Sequence, residues 1–327
     1  MNQIDLKNKK ILYIGSKSFN YDQFLVEKLE NFGANVVFFQ IDITSIYFRT
    51  IKKFGLPGIN SYKNNFYNNM LLGKNYDYVL VRYGHQLSEE FLGKLRSANP
   101  NAKFINFHWD SITALYNYLH IIPYFDKVFS FDVKDCQTYR EINYLPLFYL
   151  DCYGEFRKND TDKLTNIDLL FIGSWRNQER YHLIKLTEEF CRQQGLHFYF
   201  YLHFSLLAQL DSIRREVIIA KQARYKTLSE KEILNLFARS NTIIDFPSSY
   251  QSGLTIRTFE ALGAGKKLIT TNKNILKEPF YNPEHISLMD VNEFNLDVDF
   301  IRNKPVSSIE ESIGNYSIGN YISKLFQ

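Results

Sequence analysis

Two separate parts of the chain open with a short apolar run that ends in glycine and leads into an amphipathic segment. The run 10–15 is followed by a predicted helix over 21–32 and by a second apolar run over 35–41. The same order begins again with an apolar run over 167–173 and a predicted helix over 181–194. Alternating strands and helices favour parallel sheets covered by helices on both faces. The sequence therefore predicts an α/β protein with two Rossmann-like, doubly wound domains.

A polar, charged segment over 157–166 separates the two patterns and predicts a domain boundary near residue 160. We expect residues 1–160 to form the first domain and residues 161–327 the second, with a last helix over 307–325. A chain of 327 residues is long enough for two domains that each have a core of their own.

Composition narrows the class of protein. Hydrophobic residues make up 45% and charged residues 23%, which is usual for a soluble globular protein. No apolar run approaches the ~20 residues that a membrane-spanning helix needs. The isolated thiols of Cys136, Cys152 and Cys191 form no Cys-x-x-Cys pair and favour a reducing cytoplasm. A net charge of +4 suits an enzyme that handles anionic substrates near an anionic membrane, and we expect no nucleic-acid partner.

The segment 247–272, Pro-Ser-Ser-Tyr-Gln-Ser-Gly-Leu-Thr-Ile-Arg-Thr-Phe-Glu-Ala-Leu-Gly-Ala-Gly-Lys-Lys-Leu-Ile-Thr-Thr-Asn, contains the densest set of candidate binding residues. It predicts a loop, a helix that starts at Gly253, a glycine-rich stop and a buried strand. Gly253, Arg257 and Glu260 share one helix face. Backbone N–H groups at a glycine can approach a phosphate, Arg257 can neutralise a second charge, and Glu260 can accept hydrogen bonds from a ribose. These features predict a nucleotide-diphosphate site.

The residues next to Gly253 belong to the same predicted site. They are Ser252, Leu254 and Thr255. The alternative is that the segment is an ordinary helix followed by a strand, in which Arg257 is a solvated helix residue.

This segment resembles the donor-binding element of GT-B glycosyltransferases, and more narrowly that of the bacterial group 1 and spore-maturation-type enzymes of polysaccharide and lipopolysaccharide gene clusters. Residues 167–177 and 104–111 extend the resemblance to both halves of the chain. The resemblance implies that Glu260 binds the ribose and that Arg176 contacts the diphosphate. Ser252 stands where many retaining members have a second glutamate, so inversion and retention both stay open.

The architecture and activity implied by this resemblance are specific. A first domain that binds the acceptor and a second that binds the nucleotide sugar would face a central cleft, and the last helix would cross back to the first domain. The activity would be transfer of a sugar from a nucleotide diphosphate to a lipopolysaccharide, capsule or exopolysaccharide acceptor, one that is lipid-linked at the cytoplasmic face of the membrane. The alternatives are another nucleotide-sugar enzyme of this shape, such as an epimerase, and a non-catalytic nucleotide-sugar-binding protein.

No Asp-x-Asp motif of the metal-dependent type is present in the sequence. Positive side chains and helix dipoles can stabilise a leaving diphosphate, so we expect neither a metal nor another cofactor. The basic residues beyond Arg176, including Arg180, are expected on a solvated helix face.

The catalytic base is predicted at a strand end of the first domain. Asp110 follows the apolar run 103–107 and is the first candidate; its alternative role is to cap a helix that starts near Ile112. His85, which follows the run 76–83, is the second candidate, although a lone histidine is more often structural. Three residues after the first strand lack a Gly-x-Gly-x-x-Gly pattern and are predicted to border the acceptor: Ser16, Lys17 and Ser18.

Overall fold

In the computed structural model the described residues are 4–16, 20–41, 54, 57–71, 75–113, 117–159, 165–204, 223–248, 250–304 and 307–327. The chain forms two compact units. The first consists of residues 1–146 together with 318–327, and the second consists of residues 147–317. The change of unit therefore falls at residue 146, upstream of the position near 160 that the polar segment suggested, and the end of the chain belongs to the first unit.

The first unit contains a parallel sheet in the order β2-β1-β3-β4-β5-β6. Its strands are β1 (Lys10–Gly15), β2 (Asn35–Gln40), β3 (Tyr78–Arg82), β4 (Lys103–His108), β5 (Lys127–Ser130) and β6 (Ile142–Tyr144). Its helices include α1 (Tyr21–Asn31), α2 (Ile59–Leu71), α3 (Glu89–Ala98) and α4 (Val133–Thr138). Since β2 and β3 pair with opposite edges of β1, the strand order reverses between β1 and β3. Ligands of open α/β sheets bind at the carboxyl ends of the strands beside such a reversal.

The second unit repeats this plan in the order β12-β11-β10-β7-β8-β9. Its strands are β7 (Ile167–Ser174), β8 (Phe198–His203), β9 (Ala223–Arg224), β10 (Ser240–Asp245), β11 (Lys267–Thr270) and β12 (Ile286–Leu288). Its helices are α5 (Asp151–Asn159), α6 (Gln178–Gln193), α7 (Glu230–Ala238), α8 (Ile256–Gly263), α9 (Val298–Arg302) and α10 (Glu310–Ile313). Here the order reverses between β7 and β10, which pair directly. The sequence also predicts a helix over 206–220, and that segment lies outside the described residues.

Both cores follow from strands that are buried on two faces. Ile11 and Leu12 of β1 are fully buried, as are Leu169 and Leu170 of β7. A strand covered by helices on both sides requires such a continuous apolar run. Side-chain caps mark the start of several helices, such as Ser88 at α3 and Asn177 at α6, and Ser229 and Glu232 form a capping box at the start of α7.

The single helix predicted over 307–325 is wrong. Ser317 has an extended backbone between α10 and the final helix, α11 (Ile318–Phe326). The Tyr149 N–H donates a 3.0 Å hydrogen bond to the Tyr316 carbonyl, and Tyr149 pairs with Ser317 in a parallel β-bridge. Pairing with another segment takes this part of the backbone out of helical geometry, and the chain changes from the second unit to the first at this break.

The final helix α11 completes the core of the first unit. Tyr321, Ile322 and Leu325 are buried. The Trp109 indole N–H donates a 3.0 Å hydrogen bond to the Tyr321 hydroxyl, which links the residue after β4 to the helix. Among the described residues, no helix combines the length and the apolar character required to cross a bilayer.

Candidate functional site

The carboxyl ends of β7 and β10 hold a group of charged residues at the reversal of the second sheet. Asp245 is the last residue of β10 and is buried. Arg180 lies in the first turn of α6, and its guanidinium donates a 3.1 Å hydrogen bond to the Ser174 carbonyl at the end of β7. Arg180 is therefore half-buried over the strand ends and not on a solvated helix face. Its position after β7 and close to Arg176 was the available sequence signal.

Asp245 interacts electrostatically with both Arg180 and Arg257. Burial raises the pKa of Asp245, while a 2.5 Å hydrogen bond from the Thr255 hydroxyl and the two guanidinium charges oppose that rise. Burial lowers the pKa of Arg180, and the nearby charge of Arg176 acts in the same direction, whereas Asp245 opposes it. Arg176 itself is exposed. Arg176 and Arg180 thus follow β7, and Arg257 lies on the helix that follows β10, so all three belong to the elements that leave the two strands at the reversal. Arg176 is the one of the three that is open to solvent.

Glu260 is fully buried in the second turn of α8. Its Oε2 atom lies 2.6 Å from Nη1 of Arg257, one turn earlier in the helix. Arg257 retains 13% of its side-chain exposure, whereas Glu260 retains none. Tyr153 of α5 faces the pair: burial, together with the charge of Glu260, raises the pKa of its hydroxyl well above the ordinary value. The carboxylate is thus engaged inside the protein, and its contact with a ribose stays a prediction.

The helix begins later than the sequence suggested. Thr255 is the residue before α8 and Gly253 lies in the preceding bend, so the start at Gly253 is wrong by three residues. The Thr255 side chain makes no capping bond to the helix, and its hydroxyl donates to Asp245. Leu254 is buried and anchors the loop in the core.

Two asparagines after β11 hold this loop. The Asn272 amide donates to the carbonyls of Gly253 at 3.0 Å and Ser252 at 3.3 Å. The Asn274 amide donates to Ser252 at 2.9 Å, and Asn272 accepts the Asn274 N–H. These residues fix the backbone of the predicted donor loop. Sequence reasoning missed them, although they follow the strand next to β10, where the carboxyl ends of parallel strands meet.

A buried ion pair occupies the corresponding edge of the first sheet. Asp22 of α1 and Arg82 of β3 are each 2% exposed and pair through two hydrogen bonds, of which that from Nε is 2.5 Å. The Tyr13 hydroxyl also donates to Asp22, as does the Ser16 N–H at 2.6 Å. The Ser16 carbonyl accepts from Arg82. The network ties β1, α1 and β3 together; the signal for it was an arginine that closes the apolar run of β3.

Ser16 is the only one of the three predicted acceptor-side residues that falls within the described part of the chain. It is buried, and its backbone groups are engaged by Asp22 and Arg82. Lys17 and Ser18 lie outside the described residues.

Asp110 lies beside this network in the loop after β4 and is half-buried. Tyr83 hydrogen-bonds to Asp110, and burial, reinforced by the charge of Asp110, raises the pKa of the Tyr83 hydroxyl. Tyr83 has a left-handed backbone with φ 60° and ψ 47°, a conformation that costs on the order of 1–3 kcal/mol for a non-glycine residue. The Arg82 guanidinium carbon stacks 4.1 Å from the centroid of the Tyr83 ring and 4.5 Å from that of Trp109. Asp110 is therefore oriented by the Tyr83 hydroxyl, and the Tyr83 ring is itself held by stacking on Arg82.

The loop that carries Asp110 is held by α4. The Ser111 hydroxyl donates to Asp132, and the Ile112 N–H donates a 2.8 Å hydrogen bond to Asp135. Residues 111–113 are not helical, so within the described part of the chain Asp110 caps no helix at Ile112. The alternative role that the sequence left open is not seen.

His85 lies in a short turn after β3 and is half-buried. Its ring centroid is 6.5 Å from that of Tyr83. His108 at the end of β4 is the more buried of the two histidines, and burial lowers its pKa well below the ordinary value, with His85 adding to the effect. Asp110 and His85 thus lie at the ends of adjacent strands, β4 and β3. No cluster of three or more His, Cys, Asp or Glu side chains in the described ranges is arranged to hold a metal ion.

No protein-family model matches the sequence, and no curated protein matches it by sequence. Solved structures do resemble it. One is a putative UDP-N-acetylglucosamine 2-epimerase from Listeria monocytogenes, 12% identical, with a TM-score of 0.50 over 98% of this chain and 95% of that chain. Another is an alpha-glucosyltransferase in complex with UDP and a 13-mer DNA containing a central A:G mismatch, 13% identical, with a TM-score of 0.53 over 98% and 90%. Together with the two parallel sheets, these similarities confirm the predicted fold class: two Rossmann-like domains of the GT-B type.

Proposed function

We propose that the second unit binds the diphosphate of a nucleotide sugar and that the protein transfers the sugar to an acceptor hydroxyl. The observation that supports this most strongly is the placement of three arginines where the chain leaves β7 and β10 at the reversal: Arg176 and Arg180 follow β7, Arg180 is bonded to the Ser174 carbonyl, and Arg257 lies in the first turn of α8. Guanidinium groups bind phosphate oxygens through paired hydrogen bonds, and a diphosphate offers several such oxygens. The strand ends beside a reversal are also where α/β sheets bind ligands.

The arrangement suits a leaving diphosphate that accumulates negative charge. Arg180 is held by the Ser174 carbonyl and Arg257 by Glu260, and the amino end of α8 adds the positive end of a helix dipole. Donors fixed in advance need little reorganisation when the charge develops. These groups supply positive charge without a metal ion, and we propose a metal-independent reaction.

For the acceptor we propose the first unit, with Asp110 as the base that takes the proton of the attacking hydroxyl and His85 as the second candidate. Asp110 stands at a carboxyl strand end and is oriented by Tyr83. The resemblance of the donor segment favours a lipopolysaccharide, capsule or exopolysaccharide acceptor, bound to lipid at the cytoplasmic face of a membrane. Free thiols at Cys136, Cys152 and Cys191 suit that reducing compartment.

The test is a panel of nucleotide sugars screened by thermal shift, followed by transfer assays with the ones that bind. A ligand at 100 times its dissociation constant stabilises the folded protein by about 2.7 kcal/mol, which is readily detected. We expect stabilisation by one class of nucleotide sugar and its loss in Arg257→Met. The surface variant Arg239→Met, in the same unit, is the matched control. Absence of stabilisation by every nucleotide sugar and nucleoside diphosphate would refute the proposal.

An epimerase is the second candidate, because one of the solved structures that resemble this chain is that of a putative UDP-N-acetylglucosamine 2-epimerase. The two activities differ in their need for an acceptor. Incubation of the bound nucleotide sugar without acceptor, followed by NMR, would show a stereoisomer of the sugar nucleotide for an epimerase and an unchanged donor for a transferase. Binding without turnover under any condition would instead indicate a non-catalytic binding protein.

A further inference from the structure

We infer that Glu260 serves the bound diphosphate by positioning Arg257, and that it does not contact the ribose. The inference rests on the proposed function, because it assigns the roles of two residues within that same site. It departs from the role that the sequence resemblance implies for Glu260.

Glu260 and Arg257 differ in how deeply they are buried. Glu260 has no exposed side-chain surface, whereas Arg257 retains 13%. The two residues are three apart in α8, so their side chains lie on the same helix face. Of the two charged groups, only the guanidinium belongs to a side chain with surface open to a ligand.

Buried aromatic side chains surround the pair formed by Glu260 and Arg257. The Arg257 guanidinium carbon lies 5.7 Å from the centroid of the Phe237 ring, and Phe237 is fully buried. Tyr153 packs against Phe237 with ring centroids 5.8 Å apart. Burial raises the pKa of the Cys152 thiol to about 11, with the charge of Glu260 adding to the effect. Ionic attraction is strong in such poorly solvated surroundings, so the 2.6 Å pair resists separation.

Because Glu260 has no exposed side-chain surface, a contact with a ribose would require its carboxylate to move outward from its buried place beside Arg257. The guanidinium would then lose its closest partner while it remained largely buried, an arrangement that is costly for a charged group. Holding the pair together has the opposite effect. It restricts the rotamers of Arg257, so less conformational freedom is lost when the side chain binds an oxyanion.

Inorganic pyrophosphate separates the two roles, because it contains the phosphates and no ribose. Calorimetry on the full chain would compare pyrophosphate with the nucleoside of the nucleotide sugar that binds best. We expect Glu260→Gln to raise the Kd of pyrophosphate about tenfold and to leave that of the nucleoside unchanged. In an Arg257→Met background the same substitution should have no further effect on pyrophosphate, because the residue through which it acts is gone.

Two further variants complete the design. Glu260→Asp keeps the charge but shortens the side chain, and it should also weaken pyrophosphate binding, which covers the case in which Glu260→Gln does not fold. Glu310→Gln removes one partner of another glutamate–arginine pair of the same unit, that with Arg157 at 3.0 Å, and should change neither affinity.

Three results would contradict the inference, and the measurements distinguish them. If Glu260→Gln raises the Kd of the nucleoside and leaves the Kd of pyrophosphate unchanged, Glu260 is a ribose ligand and the inference is wrong. Tighter pyrophosphate binding would also overturn it, because Glu260 would then oppose the anion and not orient the cation. If the wild-type protein binds neither pyrophosphate nor any nucleoside diphosphate, the proposed function fails, and the inference fails with it.

Discussion

The Thr255 hydroxyl donates a 2.5 Å hydrogen bond to the Asp245 carboxylate, so the end of β10 is joined to the residue that precedes α8. The backbone just before α8 is held as well, because the amide of Asn272 donates to the Gly253 carbonyl. Two hydrogen bonds so close to the start of the helix leave residues 253–255 few alternative conformations. The backbone at the proposed anion site is therefore held in place without a ligand, which would lower the entropic cost of binding.

Arg180→Met should weaken nucleoside diphosphate binding by about 10- to 100-fold, the range for loss of one charge-assisted hydrogen-bonding group. The melting temperature should change little, because burial already disfavours this cation and Asp245 keeps its bond from Thr255. Calorimetry and thermal melts on one preparation measure both. Arg192→Met on the exposed face of the same helix is the control. An equal loss of nucleoside diphosphate affinity in the two variants would contradict a role for Arg180 in binding the diphosphate.

Asp110→Asn should reduce the transfer rate by about 10²–10⁴, as expected for removal of a general base, and leave donor affinity unchanged. The amide retains the size of the side chain and can still accept a hydrogen bond from Tyr83. His85→Gln, measured in parallel, should have a much smaller effect. A stable Asp110→Asn protein with near wild-type turnover would exclude Asp110 as the base, and a collapse confined to His85→Gln would move the role to the histidine.

Asp135→Asn should change how stability depends on pH. Burial raises the pKa of Asp135 from the ordinary 3.8 to about 6. Between these values the native state holds more protons than the unfolded chain, so the free energy of unfolding of the wild type falls as pH rises from about 4 to about 6. Asparagine does not titrate. The variant should therefore gain on the order of 1–2 kcal/mol relative to the wild type across this window, once solvent screening is allowed for.

Urea unfolding of both proteins at pH 4, 6 and 7.5 measures the difference. A stability difference that stays constant across these pH values would show that Asp135 titrates normally.

Transfer should persist in EDTA and should not respond to added Mg²⁺ or Mn²⁺, because the arginines at the donor site supply the positive charge that a metal would otherwise provide. The measurement is the initial rate before and after chelation, with the protein dialysed against EDTA. Loss of activity on chelation that either ion restores would show that the metal-free proposal is wrong.

Much of the fold was predictable because central strands such as β1, β3 and β7 are continuous apolar runs, a pattern that follows from burial on both faces. The apolar runs that begin at Lys10 and Ile167 correctly predicted β1 and β7, the first strand of each unit. Because the strand–helix pattern begins again at Ile167, the sequence also predicted the two Rossmann-like domains. The final helix was mispredicted because its interruption depends on a partner far away in the chain: Tyr149 pairs with Ser317. Local sequence does not contain that information.

The candidate site was predictable to a smaller extent. Arg257, Glu260 and Arg176 stood out because they occupy motif positions, but the burial of Glu260 and its pairing with Arg257 depend on Tyr153 and Phe237, which come from other helices. Arg180 on its own is indistinguishable from a solvated helix residue. Its role becomes visible only when β7 and β10 pair and bring Asp245 next to it.

The placement of α11 has a consequence for synthesis of the chain. The indole of Trp109 finds its hydrogen-bonding partner, Tyr321, 212 residues later. At roughly 5–20 residues per second, a ribosome needs about 10–40 seconds to cover that distance. The second unit is continuous in sequence, so it is the first to have its whole chain available, although it begins to emerge later. During synthesis, the surface of the first sheet that α11 will cover therefore stays exposed until the last residues are made. In this interval the chain is most exposed to aggregation and to capture by chaperones.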